Sequence, residues 1–167
     1  MLKQIVRKPK IAWSIIVLVF IIFILLLLIG CIPNTNDGYL GRFADQLTNY
    51  PVPDNCSVLE HFELLGKLNG NGNGMDFAAV VLLQAGLETT KNDLIEYYSS
   101  VDFVPARGKT HTVELVVEPV EQPGFTNGYI EHQEITFQSI MNYEEHRYYA
   151  VIIYDGGYSA GFDLRGN

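Results

Sequence analysis

Residues 11–30 read IAWSIIVLVFIIFILLLLIG, twenty residues with no charge and one serine. No other feature constrains this chain as strongly. As a helix the run spans about 30 Å, the thickness of a bilayer's hydrocarbon core. Lys3, Arg7, Lys8 and Lys10 precede it, and no acidic residue occurs before Asp37. Short basic flanks stay on the cytoplasmic side. Residues 1–10 therefore read as a cytoplasmic basic segment, and the bulk of the chain as extracytoplasmic. Trp13 falls at the inner end, where an indole prefers the headgroup layer.

Two readings of the outer end are open. In the first, the run is an uncleaved single span that ends near Ile32, because Pro33 blocks its continuation. In the second, Leu28-Ile29-Gly30-Cys31 resembles the bacterial lipobox: an aliphatic residue, a tolerant position, a small residue and a cysteine. That resemblance implies cleavage before Cys31 and lipidation of its thiol. It covers four residues of the chain, and the apolar run is longer than an ordinary signal core. Residues 11–31 are thus a transmembrane helix or a lipoprotein signal. Either way, residues 32–38 read as a linker and 39–167 as an extracytoplasmic domain attached to a membrane at one end. The two cysteines, Cys31 and Cys56, have no His or Cys at metal-ligand spacing.

All nineteen acidic residues lie beyond the apolar run, against seven of the eleven basic ones, a formal charge of −12 for that part. Such a surface excludes nucleic acid as a partner and disfavours anionic lipid. All ten tyrosines fall there too, so the segment lacks the aromatic-poor signature of disorder. Its length suits one domain with an ordinary core.

Leu40, Phe43, Ala44 and Leu47 stand at helical spacing, which predicts a short helix over 39–49. Residues 57–68 read as a strand. The Asn-Gly repeat of 69–74 reads as a turn, and the apolar run MDFAAVVLLQA of 75–85 as a buried central strand. Thr90 and Asp93 mark the start of a helix over 90–101. Period-two patterning then predicts strands at 111–118, 129–138 and 146–154. Asp155-Gly156-Gly157 reads as a tight turn before a short last strand at 158–164. The order predicts an α+β fold: one membrane helix, then an antiparallel sheet with one helix packed on a face.

Candidate sites are few. The alternation at Asn69, Asn71 and Asn73 supplies turn geometry and, as an exposed loop, a possible contact surface together with Tyr149. No phosphate-loop motif is present. In a strand, His132 and Glu134 face the same side and can share a metal, with His111 or Glu114 as third ligand. No serine occupies a G-x-S-x-G elbow, and the Glu118/Glu121 and Glu144/Glu145 pairs read as a solvated face. No catalytic residue and no cofactor is expected. The favoured expectation is a non-enzymatic binding or envelope-accessory domain, held by residues 11–30 and meeting a protein partner at the outer membrane face. The alternative is a metal-dependent hydrolase acting at the cell envelope.

Overall fold

The structure, a computed structural model, describes residues 9–70, 73–108, 112–141, 143–161 and 163–166. Its first element is longer than the sequence suggests. Helix α1 runs unbroken over Pro9–Thr48, forty residues and about 60 Å. The expected break at Pro33 and the expected linker over 32–38 are both absent, because the helix passes through the proline. Pro33 has no N–H to offer the carbonyl four residues back, and an interior proline costs about 3 kcal/mol. Contacts beyond the helix offset that loss, as described below. From Trp13 to Ile29 the large apolar side chains are exposed. That stretch is long and apolar enough to cross a membrane. Eleven residues later the same helix turns its apolar stripe inward: Leu40, Phe43, Ala44 and Leu47 are all buried.

The four-stranded sheet is wholly antiparallel, in the order β1(Cys56–Gly66), β2(Met75–Ala85), β6(Arg147–Tyr158), β3(Glu114–Pro119). A separate two-residue ladder joins β4(Gly124–Phe125) to β5(Ile135–Thr136). Strand β2 is the centre of the molecule. Both its edges are paired and both its faces are covered, so ten of its eleven residues are buried. This is why it carries a continuous apolar run instead of alternation.

Alternate residues of β2 serve two separate cores. Phe77, Ala79, Val81 and Leu83 meet α1, α2(Lys91–Ser99), and Tyr149, Val151 and Ile153 of β6. Ala78, Val80 and Leu82 meet Tyr148, Ala150 and Ile152 of β6 and the segment that holds Val120, Phe125, Ile130, Ile135 and Phe137. The second layer is mostly loop. Aromatic rings knit it to the sheet, with Phe137 centred 5.6 Å from Phe62 and 5.7 Å from Phe125.

Helix α2 begins as expected. The Thr90 hydroxyl accepts from the Asp93 N–H at 3.3 Å, and the Asp93 carboxylate accepts from the Thr90 N–H at 2.8 Å, a reciprocal capping box. Bonds from the Thr90 N–H and then from the Thr90 hydroxyl hold the Asp93 carboxyl below its ordinary range.

Three expected elements differ. Only 135–136 of the expected strand at 129–138 is a strand; its apolar residues pack as a loop over the sheet. Asp155-Gly156-Gly157 is not a turn but a bulge inside β6. Met75 pairs with Tyr158 and Phe77 with Asp155, so three steps on β6 oppose two on β2. Gly157 supplies the φ of +80° there, and its N–H donates to Asp76 Oδ1 at 3.0 Å. No strand follows Tyr158 among the described residues; a 3₁₀ turn, Leu164–Gly166, takes its place.

The central strand gives a direct test. Val81 is 2% exposed and sits opposite His61 on one side and Val151 on the other. Val81→Asp is expected to cost several kcal/mol, since an unpaired charge there has neither water nor partner. Urea denaturation checks this: a variant with the parent's midpoint would show that β2 is not the centre of the core.

Candidate functional site

A network of buried polar groups surrounds the point where α1 enters the domain. Asp163 lies at its heart, 1% exposed. Arg165 grips it with two parallel bonds, Nε to Oδ1 at 2.9 Å and Nη2 to Oδ2 at 2.7 Å. The same guanidinium reaches the helix, donating to the Pro33 carbonyl at 3.2 Å and pairing with Asp37. Asn36, also buried, donates to Asp163 Oδ2 at 2.7 Å and accepts from the Arg107 guanidinium. Three chain segments meet here, the two ends of the Asn36–Asp163 bond lying 127 residues apart. Planar, bidentate pairing is the geometry in which an arginine–carboxylate bond is strongest.

Arg107 extends the network. Its guanidinium carbon lies 5.2 Å from the Tyr158 ring centre, 5.4 Å from Phe77 and 5.8 Å from Tyr39. It also donates to the Ser159 carbonyl at 3.2 Å. The buried carboxylate of Asp155 accepts from the Ala106 N–H at 2.7 Å and from the Tyr158 hydroxyl. Burial, reinforced by Asp155, pushes the Tyr158 hydroxyl up to about 12. Asp76 bridges the neighbouring strand ends, accepting from the Leu68 and Gly157 N–H groups. These bonds tie α1, the loop at Arg107 and the C-terminal turn to one another.

The C-terminal turn closes the same end of the sheet. The Lys67 N–H donates to the Arg165 carbonyl at 2.8 Å and the Gly74 N–H to the Gly166 carbonyl at 2.9 Å. Gly66, at φ +134°, leaves room for the Arg165 carbonyl, which a Cβ there would meet at 2.7 Å.

The residues singled out from sequence scatter. Tyr149 is not on a free surface: it is 7% exposed in the helix-side core, and its hydroxyl donates to the Thr89 carbonyl at 2.9 Å. The alternation of β6 explains this, since the face expected to be open is covered by α1 and α2. Asn69 and Asn73 flank the β1–β2 connection at the clamp end, and Asn71 lies outside the described residues. Asn69 accepts from the Tyr154 hydroxyl at 3.3 Å. His132 and Glu134 do not share a strand face, because 131–133 form a turn. There the His132 ring nitrogen contacts the Gly70 carbonyl at 2.9 Å, and Glu131 accepts from the Gly70 N–H at 2.8 Å. His111 lies outside the described residues. Among the described residues no three His, Cys, Asp or Glu side chains are grouped as a metal would need. Both cysteines are free thiols; Cys31 is exposed on α1, and burial raises the Cys56 pKa, with a smaller contribution from Glu88.

At the opposite end of the sheet, two shallow clefts share Pro119, Val120 and Glu121. One, about 290 Å³, is completed by Tyr143, His146 and Arg147; the other, about 670 Å³, by Glu118, Gln122 and Glu134. A mixed-charge rim with aromatic rings suits binding, and no nucleophile–base pair is set in it. Sequence reasoning missed both the clamp and the clefts. Asp163 and Arg165 are only two residues apart, but nothing in the sequence points to Asn36 and Arg107 as their partners.

Comparison with known protein families, with curated proteins and with solved structures gives no match.

The clamp makes two predictions. Asp163→Ala strands Arg165 and Asn36, and is expected to cost about 3 kcal/mol in chemical denaturation. Bonds from Arg165 first, then from Asn36, lower the Asp163 carboxyl from 3.8 to about 2. A carboxyl depressed on folding stabilises above its unfolded value and loses that contribution as pH falls toward the folded one. Stability is therefore expected to drop by about 2 kcal/mol between pH 4 and about 2, and Asp163→Asn to lack that part of the acid transition. An unchanged acid limb in the variant would assign the transition to other carboxylates.

Proposed function

We infer that this chain is a membrane-anchored extracytoplasmic module that binds a partner or serves the envelope as an accessory, without catalysis of its own. The observation that carries this is the single helix that begins as an exposed apolar span and ends in the domain's core. A domain mounted on such a rod is held at a fixed height and angle, as the clamp around Asn36 and Asp163 permits no hinge at that point. Fixed presentation suits recognition. The clefts around Glu121 and His146 lie at the end away from the clamp, which under this reading is the end away from the membrane. The basic residues before the span support an N-terminus inside and the domain outside.

A lipid anchor at Cys31 is a second reading, and one feature favours it. Cleavage before Cys31 leaves Pro33 near the start of the remaining helix, with Asp37 in its first turns. Proline is favoured in a first turn, where it has no bond to break, and acids are favoured near a helix N-terminus. Under that reading the helix from Cys31 to Thr48 stays with the domain.

Cell fractionation and protease treatment of intact cells test the anchor together with the side. The chain is expected in the membrane fraction, resistant to alkaline extraction, with its domain open to external protease. Recovery of untethered full-length chain from the cytosol overturns the reading. Cys31→Ser separates the two anchors: a heavier band without lipid label supports the lipid anchor, and an unchanged band supports the uncleaved span.

A further inference from the structure

The clamp end of the domain stands within headgroup reach of the apolar span. Ile32 and Pro33 are already partly covered by the domain, and Asn36 is buried. At 1.5 Å per residue, Pro33 and Asn36 lie about 3 and 8 Å beyond Cys31 along the helix. The headgroup layer is about 5–7 Å thick on each side of the hydrocarbon. Any tilt of the helix shortens these heights further.

Three surface features gather at that level. Leu164 is 76% exposed, a large apolar side chain next to the arginine that holds Pro33 and Asp37. Asn73 is exposed beside Gly74, whose N–H is bonded to Gly166. Gly70, exposed at φ +69°, ends the other arm of the same connection. Gly70 and Asn73 at the two arms of the β1–β2 connection, the C-terminal turn and the first turns of α1 beyond the span therefore gather at one end of the domain. An exposed leucine at this height has its apolar surface best placed at the headgroup–acyl boundary. Asparagine amides suit phosphate and ester oxygens. Arg165 is paired with Asp163 and Asp37, and the chain beyond the apolar run is strongly acidic, which disfavours anionic lipid.

We propose that this face is a footing which seats on zwitterionic lipid headgroups, with Leu164 at the acyl boundary and the Asn73 amide on lipid oxygens. The inference rests on the membrane-anchored reading and names the lipid surface as a partner of the domain itself. The seat fixes which way the distal clefts look. Strand β1 is 11 residues long, about 33 Å, and separates the two ends.

The test uses the full chain in phosphatidylcholine vesicles that carry a headgroup nitroxide. Native cysteines are replaced by alanine, and a fluorophore is placed at Asn73→Cys, Asp54→Cys or Leu25→Cys. The Asn73 label is expected to be quenched at least severalfold more than the Asp54 label, independent of salt. The two are then compared after a flexible Gly-Ser spacer is inserted between Cys31 and Ile32. A footing keeps the Asn73 label quenched despite the spacer, and adding Leu164→Asp to the spacer releases it with no change in thermal midpoint. Loss of quenching with the spacer alone overturns the footing, leaving a domain merely held near the surface. An unquenched Asn73 label without a spacer also overturns it, and assigns the face to another occupant. The Leu25 label, read with an acyl-chain nitroxide, reports separately on the span: if it is not quenched, the anchored reading itself fails.

Discussion

The bidentate pair of Asp163 and Arg165 ties the C-terminal turn to the helix on which the domain is built. Arg165 reaches Asp37 and the Pro33 carbonyl, while Asp163 receives Asn36 from the same helix. A buried carboxylate is costly unless every lone pair is answered, and here arginine, asparagine and a backbone N–H answer it. The arrangement leaves little freedom: moving the helix by one residue would break several of these bonds together. It also explains how a proline survives in a helix interior. The local loss at Pro33 is offset by a helix held in place from outside.

The second constraint is the strand that has no exposed side. Because β2 is paired at both edges, its faces must each be covered, and the chain supplies two unlike covers. One is helical, from α1 and α2; the other is a loop stitched by Phe125, Ile130, Ile135 and Phe137. The helical cover places α1 against the middle of the sheet rather than at its edge. The sheet is thereby joined to the apolar run through one continuous helix.

Much of this was legible residue by residue. The stripe Leu40, Phe43, Ala44, Leu47 announced a buried helical face, and the run at 75–85 announced a two-faced strand, because burial dictates side-chain type at each period. Thr90 and Asp93 gave the start of α2, since a capping box is a local interaction. The illegible parts were those in which a distant partner overrides a local preference. Pro33 argues for a break, and only Arg165 and Asn36 reverse it. Asp155-Gly156-Gly157 has turn chemistry, yet Asp76 answers the Gly157 N–H and makes it a bulge. The stretch 129–138 alternates like a strand, but β3 rather than this stretch pairs with β6, and its apolar residues fold over the sheet instead. Tyr149 was assigned to the right side of its strand, but which side is covered depends on where the helices pack.

The sequence alone determined that a charge-free, helix-length run precedes an acidic α+β domain, since both follow from composition and periodicity over neighbouring residues. Only the tertiary structure decided that the apolar run and the domain share one helix, and that Asn36, six residues past that run, is already buried in the domain. Those facts depend on hydrogen bonds between groups more than a hundred residues apart, and local pattern carries no information about which of several acids and arginines will meet.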